Sequence, residues 1–216
     1  MIVLAIDTAG VDCSAAVYDG DAHRLLGEAT EMIGRGHAEK LMATIDAALD
    51  AAKIDLSAVE RIAVTIGPGS FTGIRVGVAA ARGLALSLGI EAVGISTLSI
   101  LAHMVPNQGV PVLAAMDAKR GEIYLQRFSA TLEPLGAAEM TSLDEFRTLA
   151  SSGEWQIMGS AGPLLSDAGA VTESDRFSIS VAAMLGAEAK AAGKPTPLYL
   201  RGPDAKPQTG FAVSRA

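Results

Sequence analysis

Thr65-Ile-Gly-Pro-Gly-Ser-Phe-Thr-Gly-Ile-Arg-Val-Gly-Val-Ala-Ala-Ala-Arg-Gly-Leu-Ala85 compresses a strand end, a turn and a small-faced helix into a single run. Ile62-Ala-Val-Thr-Ile66 reads as a buried strand, Gly67-Pro68-Gly69 turns the chain, and Ser70 or Thr72 can cap the helix that follows. Backbone amides freed by glycines at a helix N-terminus attract anions, so this order is also that of a phosphate cradle. The Gly-Lys-Ser/Thr ending of a nucleotide loop is missing, and the spacing favours a structural turn.

Half of the 216 residues are apolar, enough to fill the core of one large domain or of two with roughly 100 residues each. One Trp, three Tyr and five Phe leave that core to small and aliphatic side chains, which suits helices packed closely on sheets. The net charge of -7 opposes the long-range attraction that a stand-alone nucleic-acid binder needs. Cys13 has no partner for a disulfide and lies in an apolar strand, where packing is the simplest role. The chain opens on a strand-like Ile2-Val-Leu-Ala-Ile6 instead of a basic leader. Its longest apolar runs are broken by Arg75, Arg82 or Glu91, short of the ~20 residues that cross a bilayer, so a cytoplasmic protein without a membrane segment is expected.

The halves of the chain repeat one another. Val3-Leu-Ala-Ile-Asp7 and Val112-Leu-Ala-Ala-Met-Asp117 each end a strand. Cys13 to Tyr18 and Arg24 to Thr30 follow the first, and Glu122 to Phe128 and Leu132 to Ala138 follow the second. Asp7 and Asp117 differ by 110 positions, Leu26-Gly27 and Leu135-Gly136 by 109. Helix, strand and helix come next in both halves: Gly36 to Ala52, Arg61 to Ile66 and Ile74 to Leu88, then Leu143 to Ser151, Trp155 to Met158 and Ser180 to Ala192. A short strand near Ala92 to Ile95 and a helix capped by Ser96 or Thr97 close the first half. Three antiparallel strands running into crossovers, made twice, predict an α/β protein of two mixed-sheet domains flanked by helices. The expected divisions are 1–106, 107–201 and a tail at 202–216, with the boundary at Pro106-Asn-Gln-Gly109. This is the pattern of the actin-like duplicated fold (ASKHA, ribonuclease H-like), in which nucleotide sits between the halves. A fold does not by itself establish catalysis.

Two helix faces are candidates for binding a partner. The helix after the glycine turn carries Gly73, Gly77 and Ala81 beside Ile74, Leu84, Ala85 and Leu88, a side that can approach a sheet closely. Roughly opposite run Arg75, Val78, Ala79, Arg82 and Leu86. In the preceding helix Ala38, Leu41, Ile45, Leu49 and Ala52 keep helical period and should face the core. The pattern alone favours a solvated helix pair over a partner surface.

With Gly34-Arg-Gly-His37, Gly67-Pro-Gly-Ser-Phe-Thr-Gly-Ile-Arg75 and Asp117-Ala-Lys-Arg-Gly-Glu-Ile-Tyr124 in that order, the chain resembles the TsaB family, also called YeaZ. Pro197-Leu-Tyr-Leu-Arg201 is similar to that family's terminal signature. The resemblance implies a non-catalytic subunit supporting TsaD, its catalytic paralogue. TsaD transfers a threonylcarbamoyl group to the adenosine beside the anticodon of tRNAs reading codons that begin with A. It further implies a TsaE-like ATPase as a partner, a homodimer when the subunit is alone, and only indirect contact with tRNA. The interface it implies lies around Met42, Arg75, Val78 and Arg82.

TsaD holds a metal with an HxxxH pair, and laying that pattern on Gly94 to Met104 puts Thr97 and Leu101 at the two ligand positions. A hydroxyl and an isobutyl group cannot replace two imidazoles, and His103 falls two positions too late. His23, His37 and His103 share no ligand spacing, so neither a metal nor an intrinsic cofactor is expected, and nucleotide is left to the partner interface. Asp7-Thr8 stands where actin-like ATPases keep a phosphate-facing acid, and Met158-Gly-Ser-Ala-Gly-Pro163 has the composition of a second loop. A strand-end Asp is more often a turn former that bonds local amides, and that is the favoured account. The competing function is an actin-like ATPase or small-molecule kinase acting alone. A glycoprotease would need the missing metal or an activated nucleophile.

Overall fold

The structure is a computed structural model that describes residues 1–106, 109–190 and 192–201. The expected boundary at 106–109 falls partly outside the described residues, and the tail at 202–216 entirely so. The chain begins with the antiparallel meander β1 (Ile2–Asp7), β2 (Asp12–Asp19) and β3 (Arg24–Met32), followed by α1 (His37–Ala52). Next come β4 (Arg61–Gly67), α2 (Phe71–Leu88), β5 (Glu91–Ser96) and α3 (Thr97–His103). The first sheet has the order β3-β2-β1-β4-β5, with β4 parallel to both β1 and β5. A second passage gives β6 (Val112–Asp117), β7 (Glu122–Phe128), β8 (Glu139–Ser142), α4 (Leu143–Ser151), β9 (Gln156–Met158) and α5 (Ile179–Glu188). Its sheet, β8-β7-β6-β9, repeats the first without a fifth strand. Two mixed sheets flanked by helices in this order form the duplicated α/β, actin-like fold.

β1 is apolar along its whole length because both of its faces are covered. Val3, Leu4, Ala5 and Ile6 are fully buried, with α2 on one face and α5 on the other. A Cβ added at Gly186 of α5 would lie 2.3 Å from the Ala63 Cβ, so the helix rests almost directly on the sheet. Alternation along β6 divides its side chains between two cores. Val112, Ala114 and Met116 join the large core of the first sheet, while Leu113 and Ala115 pack with Ile123, Leu125 and Phe146 under α4. The larger core therefore runs across residue 106, and α5 covers the sheet of the other half of the repeat.

Two local expectations differ from the structure. Leu132 to Ala138 is a turn and not the third strand of the second meander, which is β8. Ser129 Oγ accepts the N–H groups of Thr131 and Glu133, and Leu132 takes a φ of 64°, which ends extended structure before Pro134. At α1 the core-facing row begins at His37, which is buried with Nε2 donating to the Asp12 carbonyl at 3.1 Å, and Ala38 is exposed.

By length and composition α2, at 18 residues, could cross a membrane. Here its small-residue face lies on β4 and on the turn after β1. Ser70 Oγ caps it by accepting the Gly73 N–H. A Cβ at Gly73 would fall 1.9 Å from the Thr8 carbonyl oxygen, so only glycine permits this approach.

Candidate functional site

Two surfaces carry the residues singled out in the sequence: the outer face of α1 and α2, and the cleft between the sheets. On the first, Met42 is 49% exposed, and Arg75 and Arg82 also face outward. Val78 does not: it is 3% exposed. The placement of Val78 on the outer stripe is therefore wrong. α1 packs alongside α2, and the buried arc of Gly73, Ile74, Gly77, Ala81 and Ala85 takes in Val78 as well. The outer stripe consists of Phe71, Arg75, Ala79, Arg82 and Leu86, and Leu86 is 83% exposed.

Arg75 is also held within its own chain. Its guanidinium stacks 3.7 Å above the Phe71 ring, and its Nε donates to the Tyr199 hydroxyl at 2.7 Å. Leu198 next to it donates its N–H to the Ile66 carbonyl at 2.8 Å, and Arg201 pairs with Glu122 on the second sheet. The Pro-Leu-Tyr-Leu-Arg segment thus joins α2 to β7. Phe71 and Tyr199 were not singled out in the sequence. Phe71, the one aromatic side chain in α2, carried the available signal.

At the cleft, Asp7 and Thr8 both turn inward, with exposures of 1% and 0%. Asp7 Oδ1 accepts the Ala9 N–H at 3.0 Å and the Thr65 hydroxyl at 2.6 Å, while Oδ2 is buried with no partner among the described residues. Burial pushes the Asp7 carboxyl up to about 6, against the pull of its hydrogen bonds from Thr65 and Ala9. Thr8 Oγ1 donates to the Gly73 carbonyl at 2.7 Å, tying the turn to α2. The space above them, about 240 Å³, is lined by Gly10, Ser70, Asp117, Lys119, Ser160 and Asp175 among others. Asp117 accepts from the Lys119 N–H and Nζ and from Thr172 Oγ1. Burial works to raise its carboxyl, and those hydrogen bonds hold it below its ordinary value. Lys119, Arg120 and Gly121 take successive left-handed conformations at φ 65°, 61° and 78°.

The side chains at the positions a nucleotide or the TsaD metal would use are buried or engaged within the chain. The strand-end acid is covered, and the Ser160 N–H and hydroxyl are taken by Asp175. At the HxxxH positions Thr97 and Leu101 are buried, with Thr97 Oγ1 donating to the Pro68 carbonyl at 2.6 Å. His103 Nδ1 instead bonds the Ser99 carbonyl at 2.8 Å. Among the described residues no three His, Cys, Asp or Glu side chains converge as a metal site. Cys13 is buried beside Thr44 of α1, which donates to its Sγ at 3.6 Å.

Fold, glycine turn and sequence together define the class. Residues 27–174 match the family model described as TsaD, tRNA N6-adenosine threonylcarbamoyltransferase. The Escherichia coli (strain K12) protein named tRNA threonylcarbamoyladenosine biosynthesis protein TsaB is 30% identical over 93% of this chain and 95% of its own length. YeaZ from Pseudomonas aeruginosa superposes with a TM-score of 0.75 at 27% identity, over 92% of this chain and 99% of that one. A second structure, described as an uncharacterized protein with similarity to peptidase YeaZ from Pseudomonas aeruginosa, gives 0.74 at 26% identity, over 93% and 99%. The chain belongs to the TsaB (YeaZ) family.

Proposed function

We propose that this chain is a non-catalytic subunit of the machinery that makes threonylcarbamoyladenosine in tRNA. In this reading it docks and positions a TsaD-like catalytic paralogue, which modifies the adenosine beside the anticodon of tRNAs reading codons that begin with A. The observation that carries the reading is the pairing of an open, chemically mixed helix face with a cleft most of whose polar groups are engaged within the protein itself. The exposed row of α2 is basic at Arg75 and Arg82, apolar at Phe71 and Leu86, and has no acidic residue; α1 beside it exposes Met42 with Glu39, Asp46 and Asp50. A basic stripe beside an acidic one is self-complementary under a two-fold axis, the requirement of a homodimer or of a pseudo-symmetric pair with a paralogue. Met42, Arg75 and Arg82 are the interface residues in this proposal, and the buried Val78 supports α2 from beneath.

Asp7 and Thr8 are read as the vestige of a nucleotide site, now spent on holding the turn to α2. Nucleotide, a TsaE-like ATPase and tRNA would then meet the assembly through the partner, and the location would be the cytoplasm. The deciding experiment is depletion of the protein in its host followed by measurement of threonylcarbamoyladenosine in bulk tRNA. The modification should fall; an unchanged level would remove the proposal. Saturable ATP hydrolysis by the purified chain, abolished by Asp7→Asn, would favour a solitary ATPase instead.

A further inference from the structure

Residues 172–178 cross the cleft and are fastened to both sides of it. On the side of the second sheet, Thr172 Oγ1 donates to Asp117 Oδ2 at 2.6 Å, and the Ser160 N–H and hydroxyl donate to the two carboxylate oxygens of Asp175 at 2.7 and 2.5 Å. On the side of the first sheet, Arg176 grips Asp12 with two bonds of 2.7 and 3.0 Å, and Phe177 is buried in the large core. A Cβ at Gly10 would sit 3.0 Å from the Asp175 carbonyl oxygen and 3.2 Å from the Phe177 ring, so the segment lies directly on the turn after β1.

Ser160 belongs to Met158-Gly-Ser-Ala-Gly-Pro163, the glycine-rich turn whose composition suits an anion. A backbone N–H and a neighbouring hydroxyl aimed at one point are what such a turn offers an oxyanion. Here both are used, and the oxyanion comes from the same chain. We propose that Asp175 is a built-in ligand of this turn, fastening the two sheets across the cleft in place of a bound phosphate. The alternative ligand would meet poor electrostatics. A phosphate at Ser160 would have to displace Asp175 and then share the pocket with Asp117 and Glu173, opposed only in part by Lys119, which is already paired with Asp117. Burial raises the Asp175 carboxyl, as expected of an acid enclosed at such a place.

The test uses the full-length chain without any partner, so it stands or falls apart from the proposed role in tRNA modification. Wild-type Tm should not move with millimolar Mg-ATP, Mg-ADP or inorganic phosphate, whereas a ligand at about 100 times its Kd would raise it by several degrees. Asp175→Ala should lose about 5 °C or more, because two charge-assisted bonds disappear. Sodium formate should restore part of that loss, and sodium chloride at equal concentration should not. If the Ala variant does not fold, Asp175→Asn, which keeps the volume but cannot accept both donors as a carboxylate does, must show the loss. The proposal is overturned by a saturable rise of wild-type Tm with Mg-ATP or phosphate, by an Asp175 variant as stable as wild type, or by formate and chloride acting alike on Asp175→Ala.

Discussion

Asp7 ends β1 with one oxygen satisfied and the other sealed beneath the turn. Its carboxyl, pushed from an ordinary 3.8 to about 6 by burial, binds its proton more tightly in the folded than in the unfolded chain. The contribution of this group to stability is therefore full below about pH 4 and is lost as pH rises through about 6, a swing of about 3 kcal/mol. Asp7→Asn retains an acceptor for Ala9 and Thr65 but does not titrate. Urea unfolding of both proteins from pH 4.5 to 7 should show wild type gaining on the variant as pH falls; a constant difference would refute this account. Gly73 makes a different demand. In most helix interiors Gly→Ala gains about 1 kcal/mol, but here the added methyl would strike the Thr8 backbone, and overpacking against it should leave a net loss of about 2 kcal/mol in urea unfolding. At this scale the sequence was a good guide to Gly73, a small residue in a regular row. It anticipated the local bond of Asp7 to the Ala9 N–H but not the partner Thr65, which lies on another strand.

At the scale of elements, α2 was legible in its limits and misread in its rotation. Ser70 caps it and Gly89 closes it in a left-handed conformation, both local signals. Val78 belongs to the row Ile74, Val78, Ala81 and Ala85, and its burial depends on a second neighbour, α1, that no periodicity within α2 reveals. This separates two classes of substitution. Arg82→Glu with Leu86→Asp should leave Tm within a few degrees of wild type and weaken pull-down of a TsaD-like partner at least about tenfold, because charge reversal and loss of an apolar contact strike an interface together. Val78→Asp should unfold the protein by burying a charge without a partner. Pull-down unchanged by the Arg82 and Leu86 pair would move the interface elsewhere. The meander of β1, β2 and β3 was equally legible. The strand expected at Leu132 to Ala138 was not, since the Ser129 hydroxyl organises a turn there that hydrophobic alternation cannot register.

The whole molecule is held by contacts between residues distant in sequence, and these were the least legible. Arg176 pairs with Asp12 and Arg201 with Glu122, and both arginines lie in stretches without helical or strand period. The repeat predicted two sheets, and two sheets form, but it also suggested that each half would complete itself. α5 does otherwise, laying Ile179, Ala182, Ala183 and Gly186 over β1, β2 and β4. A fragment of residues 1–106 should accordingly expose the Val3, Ala5 and Ala63 face and bind a hydrophobic dye, whereas the full chain should not. A cleanly folded fragment with a sharp thermal transition would contradict this. The path of α5 also sets an order of events at the ribosome. The first strands to be synthesised are the last to be roofed, so the nascent chain carries an open apolar sheet until residue 188 has emerged. Throughout synthesis of the second sheet, that face is available to chaperones and to neighbouring nascent chains.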